Sequence, residues 1–320
     1  MADIDGIRKD IFGRAVIVST GRSKRPGAFI DKKHREKACP FCPGNESKTE
    51  KTVLAIPNER NWRVRVFKNK FPVLHARNFK QVADSFFEKY TPSGVHEVLV
   101  ETRKHDMDYS NMHEDDIKLV IDALKQRYSE LMKIEDVNYV TIFKNKGKRA
   151  GASIAHPHLQ IIAAPLFPDV ISVEMEQSES YFKKEKKCGD CDMIREESHA
   201  KTRVVTHNRD WIVICPYVST WPYQTTILPR RHFSEITDMT DEEALNLAKI
   251  IKKLFHGYTK IFDDPPYNIM YHNFPSSDFW HFHIHIYPRI VTHAGFEFFG
   301  LNVNITTPED AAKMLKNVLR

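Results

Sequence analysis

What most constrains this chain is that its chemistry-bearing residues come twice, in the same order. Cys39-Pro-Phe-Cys42 is followed by His105 and then by His156-Pro-His158-Leu-Gln160. Cys188-Gly-Asp-Cys191 is followed by His232 and then by His281-Phe-His283-Ile-His285. The second cysteine precedes the lone histidine by 63 residues in one copy and 41 in the other; the next histidine follows after 51 and 49. The apolar runs between them repeat as well. Trp62-Arg-Val-Arg-Val matches Trp211-Ile-Val-Ile, and Tyr139-Val-Thr-Ile-Phe143 matches Tyr267-Asn-Ile-Met-Tyr271. The strand-like runs 97–101 and 224–229 lead to His105 and His232 in turn. This period is far longer than a solenoid repeat, so each copy is a subdomain. The spacing predicts two halves, 1–170 and 171–320, joined by the polar stretch after Pro168. Each half reads as several antiparallel strands with one main amphipathic helix, over 115–133 and 241–255, so the fold class is α+β.

Composition narrows the partners. The net charge is +6 over 320 residues, with no dense basic block of the kind a nucleic-acid-binding arm shows. That balance suits a small anionic ligand such as a nucleotide. No apolar run approaches the ~20 residues of a membrane helix, and Met1-Ala2-Asp3-Ile4-Asp5 lacks a signal-peptide core. A cytoplasmic, reducing location is therefore expected. There, paired cysteines read as metal ligands or redox thiols before disulfides. No thioredoxin-like strand–helix context is expected after either pair, which favours metal over a reactive dithiol. The fifth cysteine, Cys215, reads as a buried strand residue.

Zinc takes four Cys or His ligands, and structural sites often begin with Cys-x-x-Cys. The halves supply Cys39, Cys42, His105 and His156, and Cys188, Cys191, His232 and His281. With ligands drawn from separated strands, such a metal would staple the sheet. His158 then remains for chemistry. In an extended run, residues two apart share a face, so His156, His158 and Gln160 point one way and Leu159 and Ile161 point into a core. A neutral imidazole can attack phosphorus and form a covalent intermediate. Gln160 can donate to a phosphoryl oxygen. Asn145-Lys146-Gly147 and Gly151-Ala152-Ser153 supply donors and close backbone approach for phosphate. Arg22 and Arg25, in a tight basic loop, can clamp phosphate or form a solvated turn. Hydrolysis by metal-bound water competes in principle, but needs an open position that a Cys2His2 set does not leave.

Together these motifs resemble the galactose-1-phosphate uridylyltransferase family of the histidine-triad superfamily, with the related ADP-glucose phosphorylases. The resemblance runs over nearly the whole chain. It rests on Arg22-x-x-Arg25-Pro26, Cys39-Pro-Phe-Cys42-Pro-Gly-Asn-Glu46, Asn69-Lys70-Phe71-Pro72, the run from Glu97 to His105, Asn145/Gly151/Ser153 and His156-Pro-His158-x-Gln160. It implies a tandem duplication of a histidine-triad-like antiparallel sheet with flanking helices. It implies ping-pong nucleotidyl transfer between a nucleoside diphosphate sugar and a sugar 1-phosphate, through a nucleotidylated His158. Gln160 would stabilise the phosphoryl group, and Ser153, Gly151 and Asn145 would bind the diphosphate. Arg22, Arg25 and Asn69 would line the nucleotide pocket. Zinc and a homodimer are expected. The second cysteine–histidine set resembles an extra zinc site of the phosphorylase type. Glu174, His272, His283 and His285 fall where some uridylyltransferases hold a further metal; a polar pocket wall is the other reading for His283 and His285. Val303 stands where other members carry a sugar-contacting glutamine, so the acceptor sugar is open. The alternatives are a phosphorylase acting on ADP-glucose or a dinucleoside polyphosphate, and a zinc-stapled nucleotide-binding protein without turnover.

Overall fold

Apolar residues at every second position, punctuated by Gly, Pro and Asn, build a large antiparallel sheet, and two long amphipathic helices cover one face of it. The computed structural model describes residues 6–9, 15–18, 39–76, 78–83, 87–292 and 294–320. The strands in chain order are β1 (Gly6–Lys9), β2 (Ala15–Val18), β3 (Thr52–Ile56), β4 (Val64–Lys68), β5 (Gln81–Ala83), β6 (Glu88–Tyr90) and β7 (Val95–Val100). Then come β8 (Tyr139–Lys146), β9 (His158–Ala164), β10 (Val204–His207), β11 (Trp211–Ile214), β12 (Thr225–Pro229), β13 (Tyr267–His272) and β14 (His283–Pro288). The helices are α1 (Glu114–Leu131), α2 (Asp169–Glu185), α3 (Gly189–Ala200), α4 (Asp241–Phe262) and α5 (Pro308–Val318).

A small sheet has the order β2-β1-β6-β5, and the large one has ten strands in the order β10-β11-β12-β14-β13-β8-β9-β7-β4-β3. Read outward from its middle, the large sheet runs β8-β9-β7-β4-β3 one way and β13-β14-β12-β11-β10 the other. The two lists have the same internal order. The sheet is thus a tandem duplication, and the copies meet where β8 pairs antiparallel with β13, Asn145 opposite Asn268 and Phe143 opposite Met270.

One face of the sheet is the core. Leu159, Ile161, Val140, Ile142, Ile269, Ile284 and Ile286 pack there against α1 and α4. In α1 the predicted stripe Ile117, Val120, Ile121, Leu124, Tyr128 and Leu131 is buried throughout. Truncating one of these leucines to alanine removes apolar contact and leaves a cavity, costing roughly 2–5 kcal/mol. Helix α4 begins at a reciprocal capping box between Thr240 and Glu243 and continues to Phe262, past the predicted end at 255. A capping box satisfies two otherwise orphaned backbone donors. Its last turns hold because Leu254, Phe255 and Tyr258 are also buried.

The opposite face carries His158 and Gln160 from β9 and His283 and His285 from β14. The polar stretch after Pro168, read as a helix plus linker, is helix through Glu185 with Lys186 and Lys187 left before Cys188. One expectation shifts. Cys188 is then the N-cap of α3, so the second cysteine pair opens a helix after all, unlike the first, which lies in a turn closed by Cys42 N–H to the Cys39 carbonyl. Among the described residues, no helix is long and apolar enough to cross a membrane.

Candidate active site

The strands proper start at His158 and His283, so His156 and His281 sit just before them and turn toward the cysteines. Cys39, Cys42, His105 and His156 come together, as do Cys188, Cys191, His232 and His281, with the donor atoms of each set within 4.8 Å of one another. Cys42 Sγ lies 3.5 Å from His105 Nδ1 and 3.6 Å from His156 Nδ1. Cys191 Sγ lies 3.6 Å from His232 Nδ1 and 3.5 Å from His281 Nδ1. Bonds of ~2.0–2.3 Å in a tetrahedral site put ligand atoms roughly 3.3–3.8 Å apart, so these distances fit a single ion per set.

The ring orientations fit too. His156 Nε2 donates to the Thr102 carbonyl at 2.7 Å, His281 Nε2 to the Pro229 carbonyl at 2.9 Å, and His232 Nε2 to the Ser277 carbonyl at 3.2 Å. A carbonyl only accepts, so each neutral ring keeps its lone pair on Nδ1, facing the cysteines. Such outer bonds fix the tautomer a metal needs. Both clusters can hold a metal ion.

A third cluster joins Glu174 of α2 to His272, His283 and His285. Glu174 Oε2 lies 2.8 Å from His272 Nδ1. Its Oε1 lies 2.9 Å from His283 Nε2, yet that ring nitrogen is off the line of a hydrogen bond and has no hydrogen-bond partner among the described residues. The atoms converge on a common point more than on each other. Burial opposes charge on His283, but the Glu174 carboxylate outweighs it and lifts the ring to about 9. Burial also opposes ionisation of Glu174, and the two histidines still hold it well below the usual carboxylate range. His281 thus groups with the cysteines, and His283 and His285 group with Glu174 and His272.

His158 is buried beside Phe41, whose ring is edge-on at 5.2 Å. Its Nδ1–H donates to the His156 carbonyl at 2.8 Å, which leaves the lone pair of a neutral ring on Nε2. Gln160 lies opposite Val98 of β7 and Phe143 of β8. Its Oε1 is 3.1 Å from His96 Nε2. Asn69 Nδ2 is 3.0 Å from the same ring nitrogen, and Asn69 Oδ1 accepts from Phe71 N–H. Asn145 Oδ1 accepts from Asn268 Nδ2 at 2.8 Å. The loop after β8 turns at Gly147 and Gly151, both at positive φ, and a Cβ on Gly147 would meet Pro266 at 2.9 Å. Ser153 follows on the exposed rim.

The structure therefore gathers Asn69, Asn145, His158 and Gln160 around one face, with Gly151 and Ser153 on the adjoining loop. Arg22 and Arg25 lie outside the described residues. Sequence reasoning did not single out His96 or Asn268. Each looks like an ordinary polar residue within a strand, and only the register places one diagonally from Gln160 and the other opposite Asn145.

A duplicated antiparallel sheet with two Cys2His2 clusters and a His-x-Gln pair at the end of one metal-ligand set defines a histidine-triad-like protein. Residues 8–168 match the family model described as galactose-1-phosphate uridyl transferase, N-terminal domain, and residues 174–319 match its C-terminal domain. The chain belongs to the galactose-1-phosphate uridylyltransferase family. It is 30% identical to the ADP-glucose phosphorylase of Arabidopsis thaliana over 98% of this chain and 92% of that protein. It is 29% identical to the galactose-1-phosphate uridylyltransferase of Thermotoga maritima over 94% of each. Among solved structures, a uridylyltransferase superposes with a TM-score of 0.84 at 30% identity, covering 98% of both chains. The Arabidopsis ADP-glucose phosphorylase with bound ADP-glucose superposes with a TM-score of 0.78 at 29% identity, covering 97% of this chain and 98% of that one.

Proposed function

We propose that this protein is a nucleotidyltransferase that works in two steps through His158. In the first, His158 Nε2 attacks the α-phosphorus of a nucleoside diphosphate sugar. A P–N bond forms, the bridging P–O bond breaks, and the sugar 1-phosphate leaves with the electron pair. In the second, an oxygen of another sugar 1-phosphate attacks the same phosphorus and the P–N bond breaks. The single observation that carries the reading is the 2.8 Å bond from His158 Nδ1 to the His156 carbonyl. It fixes the tautomer whose Nε2 lone pair is the nucleophile and stabilises positive charge on the ring as the bond forms.

In this reading Gln160 stabilises the phosphoryl oxygens, Asn145, Gly151 and Ser153 hold the diphosphate, and Arg22, Arg25 and Asn69 line the nucleotide pocket. Zinc occupies both Cys2His2 sets as a staple, suited to their closed thiolate–imidazole donor sets. Bound there, it would tie the His156 segment to the Cys39–Cys42 turn, and His158 to its register. The halves are 1–170 and 171–320. The exposed apolar run Phe298, Phe299, Leu301, Val303 and Ile305 suits burial against a second copy of the chain, so a homodimer is part of the reading. So is a cytoplasmic location, the reducing compartment that keeps free thiols available to metal.

A second reading shares the first step and uses inorganic phosphate as acceptor, which makes the protein a phosphorylase. It is favoured by the likeness to the Arabidopsis ADP-glucose phosphorylase, by the second Cys2His2 set and by Val303. Isotope exchange tests the shared step. Labelled glucose 1-phosphate should enter UDP-glucose or ADP-glucose with no other acceptor present. Exchange that needs a second acceptor points to direct transfer instead. Adding inorganic phosphate or galactose 1-phosphate then separates the two readings.

A further inference from the structure

Two of the three carboxamides of the site, Gln160 and Asn145, are held from behind by their oxygens. His96 and Gln160 are diagonal neighbours on paired strands, because His96 faces Ile162 while Gln160 faces Val98. Such diagonals lie within reach of long side chains on one face. His96 Nδ1 accepts from the Val73 backbone N–H at 3.2 Å. A backbone amide can only donate, so the neutral ring carries its proton on Nε2. That proton faces Gln160 at 3.1 Å. An N–H requires an acceptor, so the Gln160 atom toward His96 is the oxygen, and the amide nitrogen is the other end of the group. Asn69 Nδ2, 3.0 Å from the same ring nitrogen, is itself a donor and so is a neighbour of that proton rather than its acceptor.

Asn145 repeats the arrangement at the seam between the halves. Asn268 Nδ2 donates to Asn145 Oδ1 at 2.8 Å and to the Ala150 carbonyl at 2.9 Å. Both of its amide hydrogens are committed, one to the side chain and one to the loop that leads to Gly151. Asn145 is therefore held with its oxygen toward β13 and its amide hydrogens available to a ligand. Either carboxamide turned by 180° would present an oxygen to an anionic phosphate oxygen, so orientation decides whether the group attracts or repels. Donors fixed before charge develops cost no reorganisation at the moment of reaction.

We propose that His96 and Asn268 are positioning residues that lock Gln160 and Asn145 as donors toward the phosphates, one from each half of the duplication. This rests on the reading of His158 as the nucleotidylated residue. Removing the anchor should slow nucleotidylation on the order of 10- to 100-fold, less than removal of a donor that touches the charge. The loss should fall in kcat more than in KM.

The test is a double-mutant cycle on the full-length protein. The rate of covalent labelling by UDP-glucose and ADP-glucose carrying label in the α-phosphate is read for His96→Leu, Gln160→Ala and the double variant. His96 acting only through Gln160 predicts that the double variant is as slow as Gln160→Ala alone, and that His96→Gln recovers part of the rate. Asn268→Asp, an isostere that offers Asn145 only acceptors and so turns its amide round, should be slower than Asn268→Ala. Full additivity in the cycle overturns the proposal. A second readout needs no turnover: nitrogen-15 spectra of the histidine rings. The His96 signals, identified by their loss in His96→Leu, should be those of the Nε2–H tautomer and should shift in Gln160→Ala. An Nδ1–H tautomer contradicts the proposal even if labelling behaves. No labelling of the wild type by either sugar nucleotide would defeat the proposed function, while the ring spectrum would still decide the orienting bond.

Discussion

His158 and His283 make the same hydrogen bond in two copies of one strand. Each donates its Nδ1–H to the carbonyl of the histidine two residues back, at 2.8 Å in both cases. The copies part at the other ring nitrogen. His283 Nε2 faces Glu174 Oε1 at 2.9 Å; burial opposes charge on the ring, but the carboxylate outweighs it and lifts the ring to about 9. Whether a proton or a metal takes that lone pair, His283 is no nucleophile. The His158 ring is flanked by the edge-on ring of Phe41. One duplicated motif thus carries the proposed nucleophile in the first half and a carboxylate-bearing cluster in the second.

Metal content follows from the donor sets. Elemental analysis of protein purified without chelator should find at least two zinc ions per chain, by the four-ligand count. Cys39→Ser and Cys188→Ser should each remove about one and lower the melting temperature, since a structural metal contributes folding free energy. Wild-type protein that is folded and free of metal would sink the staple reading.

Under the face that carries His158 lies a buried charge network. Lys144 Nζ is 2.6 Å from Glu101 and 3.2 Å from Asp108, and Tyr109 and Tyr267 donate to those same carboxylates. Lys144→Met leaves the buried Glu101 without its cation and Asp108 with Lys146 alone. Breaking such a network by removing one partner costs roughly 3–5 kcal/mol, measurable by urea unfolding. Replacing Glu101 with Leu in that background should recover part of the loss.

The pH dependence of that difference has a definite sign. Burial pushes the Asp108 carboxyl up, but Lys144 and then Lys146 outweigh it and hold it at about 2, against an ordinary 3.8. A depressed carboxyl gives stability that is complete above 3.8 and lost as pH falls toward 2. Burial raises Glu101, and without Lys144 it will take up a proton more readily still. The stability gap between wild type and Lys144→Met should therefore narrow as the pH falls from about 4 toward 2. A gap that widens there would contradict the network's role.

Val303 is exposed, and the proposed function makes it a residue of acceptor choice. Val303→Gln should raise kcat/KM for galactose 1-phosphate relative to inorganic phosphate, because a carboxamide can bond sugar hydroxyls that valine cannot. An amide matched to a substrate hydroxyl changes discrimination by tenfold or more. An unchanged ratio would remove Val303 from the acceptor site.

Much of this was legible in the sequence because it is written in spacing. The duplicated order of Cys39/Cys42, His105 and His156 predicts the shared strand order of the two halves, and period-two alternation in 158–162 predicts which face His158 and Gln160 occupy. The α1 stripe follows from helical periodicity. What could not be read is whatever depends on register. Asn268 meets Asn145 only because β13 pairs with β8, and His96 reaches Gln160 only because Val98 lies opposite it. The placement of Glu174 against His283 likewise depends on how α2 docks, which no local pattern specifies. The helix opened by Cys188 was missed because a Cys-x-x-Cys turn and a helix N-terminus look alike in composition.

The central claim is that His158 carries the nucleotide, and one labelling experiment addresses it. Wild type, His156→Ala and His158→Gly are each incubated with UDP-glucose and ADP-glucose labelled in the α-phosphate, then denatured and assayed for covalent label and for zinc. The account predicts an acid-labile, base-stable label on wild type, lost metal and stability in His156→Ala, and full zinc with no label in His158→Gly. Added imidazole, filling the cavity left by the ring, should then release nucleotidyl-imidazole from His158→Gly. Covalent label retained by His158→Gly would place the nucleophile elsewhere and contradict the account.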